Sequence, residues 1–208
     1  MKSKAITTIM ITLLLASMSS MAVLAYPPET NDWPKFHGNL RNTGVAYSVL
    51  HGILTPQLLW SHTTDNTISP SSPSLADIDN DGELEVVIGT ANFEKTGGVY
   101  AIETDRTLKW KHQTGDYGTY ACPAIEDIDD DDWKEISFVS FAGKITVLEH
   151  DRTLKWVLDK GSAGTKAAIA DIDGDSDLEV IAGAASKIWL LDADGTEVWS
   201  KNFIIGTE

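Results

Sequence analysis

The chain has 208 residues, 42% of them hydrophobic, which is enough for one domain of moderate size with its own core. It carries 31 Asp and Glu against 16 Lys and Arg, and a formal net charge of −15 argues against nucleic acid or anionic lipid as a partner. The single cysteine, Cys122, leaves no internal disulfide; it lies in the apolar run 121–125 and reads as a buried structural residue rather than a reactive thiol.

The first four residues, Met1-Lys2-Ser3-Lys4, are basic, and an apolar stretch centred on 9–16 follows. It ends in small residues, with Val23 and Ala25 at the minus-three and minus-one positions of a cleavage site. Residues 1–25 therefore read as a secretory signal, the mature protein starting at Tyr26 and being secreted or otherwise extracytoplasmic. An uncleaved anchor is the alternative, disfavoured because the apolar core is short and diluted by Ser and Thr. No cysteine lies near the site to accept a lipid, and no membrane span is expected after cleavage. Residues 26–57 contain Pro27, Pro28, Pro34 and Pro56 and read as an N-terminal strap. Trp33 and Phe36 are expected to cover apolar surface there, with a ligand clamp around His37 as the other reading.

A short strand is expected at 58–62, Leu58-Leu59-Trp60-Ser61-His62. Its pattern returns in Leu108-Lys109-Trp110, Leu154-Lys155-Trp156 and Glu197-Val198-Trp199. Matching turns precede the last three: Asp105-Arg106-Thr107, Asp151-Arg152-Thr153 and Asp194-Gly195-Thr196. Repetition at a spacing of about forty to fifty residues, with short strands and polar turns, indicates a propeller. The fold class is all-β, a β-propeller of four-stranded antiparallel blades over 58–208. After the orphan strand (58–65), the blades cover about 69–115, 119–160 and 165–205. The expected strands are 74–78, 85–90, 98–103 and 107–113; 121–128, 135–139, 144–149 and 153–158; and 166–172, 179–183, 187–192 and 196–203. A closed propeller needs about four to eight blades, so three imply a partial or truncated one, with self-association through open blade edges as the alternative. The fixed place of Trp in each repeat favours packing between blades over a stacking platform. Trp133 and Trp189 fall outside that series. Trp133 is expected to be exposed and is the better candidate for ligand contact.

The first two strands of each repeat flank an acidic loop. In Asp77-Ile78-Asp79-Asn80-Asp81-Gly82-Glu83-Leu84-Glu85, carboxylates occupy positions one, three, five and nine. The pattern recurs as Asp127, Asp129, Asp131 and Glu135, and as Asp171, Asp173, Asp175 and Glu179. Alternate residues of a tight turn converge, and so many anions repel unless a cation sits among them. Hard oxygen donors in this number suit Ca²⁺, one per loop. Position twelve is Ile88 where an EF-hand needs a bidentate Glu, and the flanks read as strands.

The spacing resembles the calcium loop of FG-GAP/VCBS repeats, the blades of integrin α-type propellers. That resemblance implies a further ligand, the backbone carbonyl at position seven: Glu83, Trp133 and Asp177. Position six is Gly82 in the first loop but Asp132 and Ser176 in the others, so the first loop is expected to bind most tightly. The segment Asp32-Trp33-Pro34-Lys35-Phe36 and the repeated Trp are similar to the lead-in and blades of PQQ-like propellers.

These observations point to an exported, calcium-binding, non-enzymatic module that binds or adheres to protein or glycan. The alternatives are a fragment of a propeller enzyme, either a PQQ-dependent dehydrogenase or a calcium-dependent polysaccharide lyase, and a structural protein of the cell envelope. No Ser–His–Asp set is visible. The histidines, His37, His51, His62, His112 and His150, lack metal-ligand spacing. No catalytic residue and no PQQ-binding residue is assigned.

Overall fold

The structure is a computed structural model that describes residues 58–68, 71–161 and 164–202. The expected signal (1–25) and strap (26–57) lie outside the described residues. All described residues belong to the second of the chain's two compact units, Asn31–Glu208.

Among the described residues, twelve strands form three sheets in chain order. The first holds β1 (Ser74–Ala76), β2 (Glu85–Thr90), β3 (Gly98–Ile102) and β4 (Leu108–Gln113). The second holds β5 (Ala124–Glu126), β6 (Glu135–Val139), β7 (Lys144–Leu148) and β8 (Leu154–Asp159). The third holds β9 (Ala167–Ala170), β10 (Glu179–Ala184), β11 (Lys187–Leu191) and β12 (Glu197–Asn202). Every pairing is antiparallel between neighbours in sequence, and no helix occurs among the described residues. The architecture is all-β, with the blade topology of a partial β-propeller.

The sheets pack face to face, and side-chain alternation assigns each residue to one side. Val99 and Ala101 of β3 join Ile136 and Phe138 of β6 in one core, which also takes Ile78, Trp110 and Leu148. The other face of β6 and β7, with Val139, Ile145 and Val147, packs on Ile169, Val180 and Leu191 of the third sheet. The second sheet is thus covered on both sides, so β6 is buried at all five positions, while β12 has no fully buried residue. The outer face of the first sheet, Ile88, Tyr100 and Ile102, is covered by Trp60 and Ile68.

The strand expected at 58–62 is not formed. Leu58 and Leu59 are 85% and 80% exposed, and an isolated bridge forms only further on, from Thr67 to Ala91, among the described residues. Trp60 packs on the first sheet without a partner strand among the described residues, so the pattern reflects burial of one ring rather than pairing there. Cys122 is buried as expected, with its Sγ 3.2 Å from the Ser74 hydroxyl.

The repeated Trp rings tie each sheet to the next. Trp110 Nε1 donates to the His150 carbonyl at 2.9 Å, and Trp156 Nε1 donates to the Ala193 carbonyl at 2.7 Å. Each acceptor lies in the hairpin turn between the third and fourth strands of the following sheet. A bulge falls beside each Trp, at Ala101/Ile102, Val147/Leu148 and Leu190/Leu191, and re-aims the ring. The turn's central residue is left-handed throughout: Arg106 (φ 82°), Arg152 (φ 78°) and Gly195 (φ 83°). A Cβ on Gly195 would come within 2.9 Å of the Trp156 ring, so this turn needs glycine for space as well as for φ.

Candidate metal centre

Each acidic loop connects the first two strands of its sheet and folds around its own carboxylates. Asp77 accepts the N–H of Asp81 at 3.2 Å and of Gly82 at 3.0 Å, one on each oxygen. Asp127 does the same for Asp131 (3.2 Å) and Asp132 (2.9 Å). Asp171 accepts from Gly174 (2.6 Å) and Ser176 (3.3 Å). Positions four and six are left-handed in all three loops: Asn80, Asp130 and Gly174 at four, Gly82, Asp132 and Ser176 at six. Loops one and three thus carry one glycine each at these positions and loop two none. Ser176, at φ 83°, holds a backbone that L-residues resist. Ser176→Gly is expected to stabilise the protein by roughly 0.5–1 kcal/mol in urea unfolding, and an unchanged or lower midpoint would count against this account of strain.

Position nine supplies the buried end of each site. Glu85 and Glu135 are fully buried, and one carboxylate oxygen of each accepts the N–H of position two, Ile78 or Ile128, at 2.9 Å. Glu179 accepts from Ile172 at 2.7 Å. The other oxygen, Oε1, of Glu85 and of Glu135 is buried with no hydrogen-bond partner, as is Oδ1 of Asp79. A buried, unpaired carboxylate oxygen is costly. Burial accordingly pushes the Glu85 carboxyl up to about 7 and that of Glu135 to about 8, and it raises Glu179.

The structure brings positions one, three and nine together in every loop. Carboxylate oxygens of Asp77, Asp79 and Glu85 lie within 4.8 Å of one another, as do those of Asp127, Asp129 and Glu135, and of Asp171, Asp173 and Glu179. Asp81 joins through a second grouping with Glu85 and Glu103. Asp131 and Asp175 stand outside the clusters and accept the N–H of Trp133 (2.9 Å) and Asp177 (3.0 Å). Glu83 accepts from the Thr104 hydroxyl through its side chain, and Asp177 is exposed. The carbonyls of Glu83, Trp133 and Asp177 stay candidates on the resemblance alone. The donor set, all hard oxygen with an orphaned buried oxygen in two loops, fits a Ca²⁺-sized cation. Those side chains would hold the ion, which would neutralise their mutual repulsion.

Trp133 departs from expectation. It is half-buried and stacks on His150, with ring centroids 4.1 Å apart and planes at 21°. Its face is taken up internally, which removes it as the better ligand contact. Trp189 is buried too, with Nε1 donating to the Ala184 carbonyl and Lys160 Nζ 3.8 Å above the ring.

Four site residues escaped sequence reasoning. Lys109 pairs with Asp79 and, at 2.7 Å, with Glu103. Lys155 pairs with Asp129 at 2.6 Å and Glu149 at 3.0 Å, and it lies 3.9 Å from Glu135. Burial opposes the charge of both lysines, but the carboxylates outweigh it and raise their pKa values. The signal was present in the repeat: Glu103 and Glu149 both stand two residues before the matching Asp, and both lysines immediately precede the Trp.

The opposite ends of the sheets carry aromatic rings. Phe93, in the β2–β3 loop, meets Tyr117 at 6.4 Å. Phe141, in the β6–β7 loop, meets Tyr117 at 5.8 Å and Tyr120 at 5.6 Å, all edge to face. Phe93 is 85% exposed and Phe141 46%.

No protein-family model and no curated relative matches the sequence. Among solved structures the chain is similar to BamB from Moraxella catarrhalis, at 21% identity and a TM-score of 0.43 over 60% of this chain and 36% of that one. It is also similar to the V. cholerae biofilm matrix protein Bap1, at 19% identity and a TM-score of 0.46 over 69% of this chain and 33% of the other. The chain thus spans about a third of the length of these neighbours. No helix among the described residues is long and apolar enough to cross a membrane.

Proposed function

We propose that the protein is an exported binding or adhesion module, not an enzyme, whose blades are stiffened by Ca²⁺ at one end. The observation that carries this reading is the orphaned, fully buried Oε1 of Glu85 and Glu135 beside two aspartates each. A blade is a small sheet with a thin core, and an ion at its first hairpin converts mutual repulsion into a rigid corner. The aromatic row of Phe93, Tyr117, Tyr120 and Phe141, at the far ends of the sheets, offers contact surface to a protein or glycan. Extracytoplasmic placement rests on the basic and apolar start of the sequence, and millimolar Ca²⁺ outside the cell would suit weak loops.

Chelation tests the metal. A cation that binds only the folded state adds RT ln(1 + [L]/Kd), about 2.7 kcal/mol per site at a hundredfold excess over Kd. Scanning calorimetry should show a lower Tm in chelator, restored by Ca²⁺ better than by Mg²⁺, which demands a tighter octahedron. Superimposable curves with and without chelator would refute the calcium reading.

A further inference from the structure

We propose that Lys109 and Lys155 are internal counter-ions that Ca²⁺ must displace, so that the first two loops fill at higher Ca²⁺ concentration than the third. The inference rests on the calcium reading and concerns how the sites are graded. Both lysines reach back from the fourth strand of their own sheet to position three of the loop, Asp79 or Asp129. Those aspartates are members of the clusters; the ammonium bonds only Oδ2 of each, and its positive charge beside the remaining ligand oxygens opposes that of an incoming cation. The second partner of each lysine, Glu103 or Glu149, holds the amino group beside the cluster. Neither lysine satisfies the buried Oε1 of position nine: Lys155 stops 3.9 Å from it in Glu135, and that atom in Glu85 has no partner. A monovalent ammonium therefore occupies the rim of each site and leaves the floor oxygen without a hydrogen bond. Ca²⁺ binding becomes an exchange in which the divalent ion takes the floor and the lysine is released.

The third loop lacks this device. The residue before its Trp is Val198, 44% exposed, and the counterpart of Glu103 and Glu149 is Asp192, one methylene shorter. Its cluster of Asp171, Asp173 and Glu179 therefore takes a cation without first releasing a lysine from that strand position. The ranking expected from Gly82 alone is reversed between loops one and three.

The test is titration calorimetry of the full chain with Ca²⁺ alone, comparing wild type, the double variant Lys109→Met/Lys155→Met, and Val198→Lys. Wild type should show one tighter class of site and two weaker ones. The double variant should tighten the weaker pair by at least about tenfold and leave the third unchanged, because a like charge has been removed from beside them. Val198→Lys should weaken the tight site by a similar factor. If wild type binds Ca²⁺ but the double variant titrates identically, the lysines are ordinary ion pairs and the proposal falls while the calcium reading stands. If no variant binds Ca²⁺, both fall. Should the double variant fail to fold in chelator, Val198→Lys decides alone, since it removes nothing buried: an unchanged tight site overturns the proposal.

Discussion

Trp110→Ala is expected to destabilise the protein by roughly 3–5 kcal/mol, whereas the same change at Trp199 should cost well under about 1 kcal/mol. The two residues hold equivalent places in their repeats. Trp110 is 8% exposed, packs with Ile78, Ile136 and Phe138, and satisfies the His150 carbonyl. Its removal opens a cavity between two sheets and strands a carbonyl, two costs that add. Trp199 is 43% exposed, and Ile172, the counterpart of the buried Ile78, is 50% exposed. Urea unfolding of both variants checks the contrast. Equal losses would mean that the ring acts within its own sheet, and the inter-sheet account would fail.

The second large effect is a pH dependence confined to the metal-free protein. In chelator, stability should fall as pH rises from about 6.5 to 8, above the range in which the buried His112, its pKa lowered by burial from 6.5, contributes the opposite slope. The carboxyls of Glu85 and Glu135 sit at about 7 and about 8 in the fold, raised by burial from an ordinary value of 4.5. Above the ordinary value the unfolded chain has lost these protons while the native state keeps them. The native state therefore binds more protons, and stability drops by up to about 1.4 kcal/mol per pH unit for each group until its folded value is passed. The carboxyls held low by turn hydrogen bonds, Asp105, Asp151 and Asp194, act in the opposite sense but only at more acid pH. Ca²⁺ requires the ionised forms, so saturating Ca²⁺ should flatten the slope, and binding near pH 7 should release protons. A metal-free Tm that is flat or rises across this window would show that the two glutamates are not the buried, protonated groups described here.

Much of the fold was legible because the repeat is local. The strands expected at 85–90 and 135–139 appear with those bounds, and the others differ mainly by a residue or more at their ends. A period-two pattern fixes where a strand runs, while its ends depend on hydrogen bonds that only the partner strand supplies. The segment at 58–62 shows the limit: it has the Leu-x-Trp pattern of a fourth strand but pairs with no strand among the described residues. The clusters were legible for positions one, three and nine, whose side chains converge within one turn. Lys109, Lys155, Glu103 and Glu149 were not, because they arrive from another hairpin and are close only once the sheet has formed. Trp133 was misread for the same reason, since its partner His150 lies in a different turn.

The forward reach of the Trp rings also imposes an order on biosynthesis. Trp110 is translated 40 residues before the carbonyl that receives its N–H, and Trp156 is translated 37 residues before its own acceptor. At about 5–20 residues per second, each ring spends roughly 2–8 seconds on the nascent chain before its acceptor exists. During each of these two intervals the ribosome carries an unfinished blade whose indole has no acceptor. That recurring interval, rather than the finished molecule, is when the chain would need a chaperone or a brisk elongation rate.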